Sequence, residues 1–255
     1  MILNINNFMR LCIALNIALF SIVTHGEELN YEFHWFYAPV AKLSIIFKKS
    51  STDQYNNKTP EKKFKLITQG PLKLYRNYSS VGSITRNNNK WDYHLLGQDR
   101  GQTEEKLIIY FSDKAPKIKI FIDDDGVLPV TIDPQIDKGA IDPFSVLFET
   151  IEQLSSIQQC NQEYLVMDGK RRYRVKVKLI NKKGADISRF GIDNDDIVFN
   201  CLFSLSELEE ENKRWPFNKK DRSMNVWFSS NLDFRPIRFY FKTPIGKIVG
   251  NIVND

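Results

Sequence analysis

Apolar and polar residues alternate with a period of two along most of this chain. That spacing puts successive side chains on opposite faces of an extended strand. The clearest run is Tyr173, Val175, Val177 and Leu179 interleaved with Arg172, Arg174, Lys176 and Lys178, one face for a core and one for water. It follows Tyr164–Met167 and Asp168-Gly169, a pair suited to a two-residue hairpin turn because both positions tolerate positive φ. Further strands are predicted at 31–37, 42–49, 64–78 (interrupted by Gly70-Pro71), 91–96, 107–111, 118–122, 197–203, 224–229, 237–242 and 247–253. A bend is expected at Ala38-Pro39 and a turn at 87–90. Exposed loops are expected at 50–63, 97–105, 182–186 and 215–222.

One segment switches to helical spacing. Asp142 can cap the free N–H groups of a first turn, and Pro143 suits the first helical position because its missing N–H has no partner to lose. Phe144, Leu147, Phe148, Ile151 and Leu154 then fall on one face, and Ser145, Glu149, Glu152 and Ser156 mainly on the other. This predicts a helix over about 142–158 that must bury its stripe, and the abundant partner is a sheet. A short second helix from Ser206, with Glu209 completing a capping box, is a weaker signal. The expected fold is all-β: a curved antiparallel sheet, an open-barrel-like meander, packed around one principal helix.

The first 26 residues stand apart. One cation at Arg10, an apolar run from Leu11 to Val23, small residues and then Glu27-Glu28 have the order of a cleavable secretory signal. The run is shorter than the roughly 20 residues that cross a hydrocarbon core, so the expectation is export to a periplasm. The alternative is an inner-membrane anchor made by an uncleaved signal. Residues 27–255 are then one β-rich domain with no transmembrane segment. Cys12 leaves with the signal. Cys160 and Cys201 remain, and in an oxidising compartment they pair most simply as a disulfide, the alternative being two separate buried thiols. The formal charge of +5 is too mild for a nucleic-acid partner.

Asp142-Pro143-Phe144, Cys160, Met167-Asp168-Gly169-Lys170-Arg171-Arg172-Tyr173, Cys201, Trp227 and Arg235-Pro236-Ile237-Arg238 before Thr243 and Gly246 together carry a resemblance. In these landmarks the chain resembles the exported bacterial proteins of domain-of-unknown-function family 3108, over roughly Tyr31 to Val253, with the second half the more specific. The chain departs from that pattern in longer, more charged loops at 50–63 and 207–220, and in Pro39 where a small-residue turn is expected. The resemblance implies an envelope protein of Gram-negative bacteria and implies no activity.

Candidate chemistry is sparse. His34 and His94 lie on separate predicted strands, with no His-Glu-x-x-His and no converging ligand set. No nucleophile elbow or phosphate-cradling glycine loop occurs. The acidic runs at 123–126 and 193–196 lack the closing glutamate of a calcium loop and read as turns. No catalytic residue, cofactor or metal site is therefore assigned. Two features leave a binding role open. Phe144, Leu147, Phe148 and Ile151 are either plain core or the lining of a space for an apolar ligand between helix and sheet. Arg172, Arg174, Lys176 and Lys178 form either a solvated strand face or a stripe for an anionic partner. Asp168 and Gly169 are structural turn residues. The expected function is binding or structural support in the envelope, with a lipid or envelope protein as partner. Recognition through a sheet edge is the alternative, and an envelope-polymer hydrolase the reading with least support.

Overall fold

The computed structural model describes residues 27–47, 61–75, 77–87, 90–99, 101–123, 126–169, 171–184, 196–207, 223–243 and 246–253. The signal segment, most of the 50–63 loop, all but the start of the short helix expected from Ser206, the 215–222 loop, residues 124–125 of the first acidic run and 193–195 of the second lie outside these residues.

The strands are β1 (Glu27–Trp35), β2 (Ala38–Phe47), β3 (Lys62–Thr68), β4 (Tyr78–Asn87), β5 (Lys90–Asp99), β6 (Gln102–Phe111), β7 (Lys117–Ile122), β8 (Val127–Leu128), β9 (Gln162–Met167), β10 (Arg172–Gly184), β11 (Ile197–Glu207), β12 (Ser223–Ser229), β13 (Arg235–Thr243) and β14 (Gly246–Val253). All fourteen belong to one antiparallel sheet in the order β8-β7-β6-β5-β4-β3-β2-β1-β14-β13-β12-β11-β10-β9. Sequential neighbours pair, as a meander requires, and β1 also pairs with β14, from Asn30↔Val253 to Trp35↔Ile248. The first and last described strands are therefore central. The free edges, β8 and β9, fall in mid-chain, and the segment between them carries the principal helix. Among the described residues two α-helices accompany the sheet, the short α1 (Gly70–Tyr75) and the long α2 (Pro143–Ile157), with a 3-10 turn at Ser230–Leu232.

Burial follows the alternation. Tyr31, Phe33, Leu43, Ile45, Phe64, Tyr93, Tyr110, Tyr173, Val175, Val177, Phe203, Phe228 and Phe239 form one continuous core with Leu147, Phe148 and Leu154 of α2. The ladder does not close. Residues between β8 and α2 fill the gap between its edges instead. Ile141 donates to the Leu165 carbonyl at 3.0 Å and accepts from Met167 N–H at 3.0 Å, while Gly139 donates to the Lys114 carbonyl at 3.2 Å. From the far side, Tyr110 Oη donates to the Met167 carbonyl at 2.5 Å and Lys106 Nζ to that of Asp168 at 2.9 Å. The buried Asp137 pairs with Arg172 across the same seam at 2.6 Å.

Local expectations are corrected at four turns. The first hairpin turns at Phe36-Tyr37, and Pro39 lies within β2 at a register shift opposite His34. Gly70-Pro71 opens α1, where Gly70 has φ +56° and a Cβ would strike the Pro39 carbonyl. The 97–105 region is almost all strand, because β5 and β6 pair through to Asp99↔Gln102. At the β9–β10 hairpin, Met167↔Arg172 is the last pair, so the connection is four residues rather than two. Asp168 Oδ1 accepts from Arg171 N–H there at 2.8 Å, and Gly169 supplies φ +90°. Beyond these turns, β10 runs on to Gly184 against Ile197, into the stretch expected to be loop.

Candidate functional site

Helix α2 starts as its sequence dictates. Asp142 Oδ1 accepts from the N–H groups of Phe144 at 2.8 Å and Ser145 at 2.9 Å, and its other oxygen accepts from the Ser145 hydroxyl. Asp142 is fully buried, and loss of water pushes its carboxyl up to about 6 against the pull of these hydrogen bonds. Ser145, expected on the wet face, is buried with it.

Packing then pulls the helix to one side of the sheet. The Phe144 ring stacks on Phe64 with centroids 3.7 Å apart, and Phe148 meets Phe47 edge-on at 5.9 Å. Arg86 pairs with Glu149 at 3.3 Å and Glu152 at 3.1 Å, and Lys62 reaches Glu152 at 3.4 Å. Burial lowers the Lys62 pKa and raises that of Glu149. The cleft among these charges measures about 20 Å³, room for about one water and no substrate. Its role is to pin α2 to β3 and β4. The i, i+3 spacing of Glu149 and Glu152 is the sequence signal for it, but their partners come from strands far away in the chain.

A sheet of eight strands can close on an interior that its own side chains fill, whereas fourteen enclose more. Because α2 leans on β2–β4, the remaining space opens on the side of β10–β14 as a cavity of about 550 Å³. Its helical wall is Pro143, Phe144, Val146 and Leu147. Phe33, Val40, Leu43 and Leu66 line it from β1–β3, Tyr173, Val175, Phe203 and Leu205 from β10 and β11, and Met224, Phe239, Phe241 and Ile248 from β12–β14. Thr68 is the polar residue on the β3 wall, and its hydroxyl is engaged with the backbone of Tyr78 at 2.8 and 3.0 Å. Ser223 and Lys242 stand where β12 begins and β13 nears its end, at the mouth. The lining offers an apolar ligand contact and offers a buried charge nothing.

The predicted site residues divide. Of the two roles left open for these residues, Phe144 and Leu147 face the cavity, while Phe148 and Ile151 do not line it and pack in the core. Pro143 and Val146 take their place. Cys160 and Cys201 are joined in a disulfide, tying the end of α2 to β11. The basic stripe is not one surface: Lys176 and Lys178 are exposed, Arg174 pairs with Glu163 at 2.8 Å, and Arg172 belongs to the seam. His34 and His94 lie on β1 and β5 beside Glu32 and Glu105. Among the described residues no cluster of metal-ligating side chains is found, and none of their helices is long and apolar enough to cross a membrane. Asp196 accepts from Ser229, Ser230 Oγ and Asn231 N–H and so fixes the turn after β12.

No family model and no curated protein matches the chain. Among solved structures it is similar to a crystal structure of a β-barrel-like protein of domain of unknown function DUF1849 from Brucella abortus, with a TM-score of 0.60 over 91% of this chain and 97% of that one. Identity is 9%, so the likeness extends to the fold alone, a β-barrel-like one.

Proposed function

We propose that this protein is an exported carrier or receptor for an apolar, acyl-chain-like ligand, which it holds between α2 and the β10–β14 wall. The observation that supports the reading is the cavity itself. Its volume of about 550 Å³ falls within the roughly 300–1,000 Å³ of small-molecule sites. A close-packed core would leave no void of that size. The reading is of a piece with the signal-like first 26 residues, a periplasmic location and kinship with family 3108, which we propose with it. Edge-strand recognition has less in its favour, since β8 is two residues long and Ile141 already bonds along β9.

The test is occupancy. Protein purified without detergent is extracted and assayed by mass spectrometry for lipid, and a fluorescent fatty-acid analogue is titrated into the delipidated protein. Val175→Phe projects a ring into the cavity from β10, on a side chain that already faces it. The variant is expected to fold and to bind the probe at least tenfold more weakly. Wild-type protein that neither carries lipid nor binds the probe, or a Val175→Phe variant that binds as well as wild type, overturns the reading.

A further inference from the structure

The two-residue turn between β1 and β2 is built from the wrong residues for a turn. Positive φ in so tight a hairpin favours Asn, Asp or Gly. Here Phe36 adopts φ +54°, uncommon for a bulky side chain. Burial does not explain the choice, because Phe36 is 71% exposed and Tyr37 96%. The next hairpin in the sheet stands beside it: β1 pairs with β14 up to Trp35↔Ile248, and the Phe36 ring lies against Gly246. That hairpin is flanked by Lys242 and Lys247, which face each other across β13 and β14 and are both exposed. No carboxylate among the described residues pairs with either. Lys242 is also at the mouth of the cavity. Two exposed aromatic rings, two cations without a carboxylate partner among the described residues and the opening of an apolar cavity therefore occupy one end of the barrel.

We infer that this end docks on the surface of an anionic lipid bilayer. Tyr37, an amphipathic ring, enters the headgroup region, and the apolar Phe36 ring reaches the headgroup and acyl boundary below it. Lys242 and Lys247 meet anionic headgroups, whose surface potential attracts basic residues. Charge complementarity selects this occupant over a second copy of the chain, which would set the same lysines against each other. Phe36, Tyr37 and Lys247 lie outside the cavity lining, which the surface meets only at Lys242, so those three positions test the inference apart from the proposed ligand.

Co-sedimentation with vesicles of phosphatidylcholine, with and without phosphatidylglycerol, tests it. Binding is expected to the anionic vesicles, weakened by added salt. Lys242→Gln with Lys247→Gln is expected to reduce it on the order of 30-fold, at about fivefold per lysine. Phe36→Gly with Tyr37→Ser puts glycine at the position of positive φ, so it is expected to lose vesicle binding while raising the melting temperature. The aromatic variant, whose two positions lie outside the cavity lining, should bind the fatty-acid probe in solution as wild type does, and Val175→Phe should still bind vesicles. No preference for anionic vesicles, unchanged binding by the aromatic variant, or concentration-dependent self-association abolished by that variant without vesicle binding overturns the inference.

Discussion

Asp142 is asked to do two things that oppose each other. As a cap it accepts the N–H groups of Phe144 and Ser145, and capping by a short polar side chain is worth roughly 1 kcal/mol. As a fully buried carboxylate it pays for lost hydration, which is why its carboxyl rises from 3.8 to about 6. The folded state thus holds the proton more tightly than the unfolded chain. By linkage, this residue's contribution to stability is greatest below about pH 4, declines as pH rises toward 6 and is flat above it. A rise of two units corresponds to about 3 kcal/mol. Asparagine keeps the accepting oxygen and can give an N–H to the Ser145 hydroxyl without a buried charge. Asp142→Asn is therefore expected to be more stable than wild type at pH 7.5 by about 1–3 kcal/mol, with the difference vanishing near pH 4. Asp142→Ala, which orphans the two N–H groups, is expected to be less stable than the asparagine variant by about 1 kcal/mol or more. Urea unfolding at pH 4 and pH 7.5 measures both. Parallel pH profiles for wild type and Asp142→Asn would exclude this account.

Elements differ in how far their own residues announce them. Helix α2 was readable from its cap, proline and apolar spacing, and it spans Pro143–Ile157 with caps at Asp142 and Gln158. The core face of β10 was readable from strict alternation, and Tyr173, Val175 and Val177 are buried as that pattern requires. Turns were less legible, because Phe36-Tyr37 and the 168–171 connection depend on register set by partner strands rather than on turn chemistry alone. The cavity was only half legible. Phe144 and Leu147 could be named, but Phe148 sits one residue further round the helix and is claimed by Phe47 and by Lys62, whose ammonium lies 4.5 Å from its ring centroid. Nothing in a helical stripe says which part of it will meet wall and which will meet space. The disulfide is the element-scale constraint that can be tested directly. Cys160 and Cys201 are 41 residues apart in sequence, and closing such a loop stabilises the folded state by about 4 kcal/mol in the chain-entropy account. Cys160→Ser with Cys201→Ser is expected to lower stability by about that amount, and hydrogen exchange should rise first at the end of α2, which loses its tie to β11. A double-serine variant that unfolds at the wild-type urea midpoint would show that the bridge is not stabilising.

At the scale of the whole molecule, the fold depends on a joint that is not a β-ladder. Fourteen strands in sequential order would leave two open edges, and open edges invite pairing with other chains. Here the connection between the edges folds back into the gap and is held by a few specific contacts. Asp137 is central to it. One carboxylate oxygen accepts from Asp133 N–H at 2.7 Å, and the other pairs with Arg172 at 2.6 Å, across from the hairpin that carries Gly169. Removing one member of a buried pair costs about 3–5 kcal/mol, because the other charge stays behind uncompensated. Removing both leaves no such charge, so the two losses should not add. In a double-mutant cycle, Asp137→Ala is expected to lower stability by about 3 kcal/mol, and Asp137→Ala with Arg172→Met by clearly less than the sum of the single changes, with coupling of about 1 kcal/mol or more. If the seam also keeps the barrel closed around its cavity, Asp137→Ala should accelerate amide exchange at Met167, whose N–H is bonded to Ile141 across the joint, before strands on the β1–β14 side respond. Additive losses, or exchange that rises uniformly around the sheet, would mean that the barrel is held by its ladder and core alone and that the closing segment is a passenger.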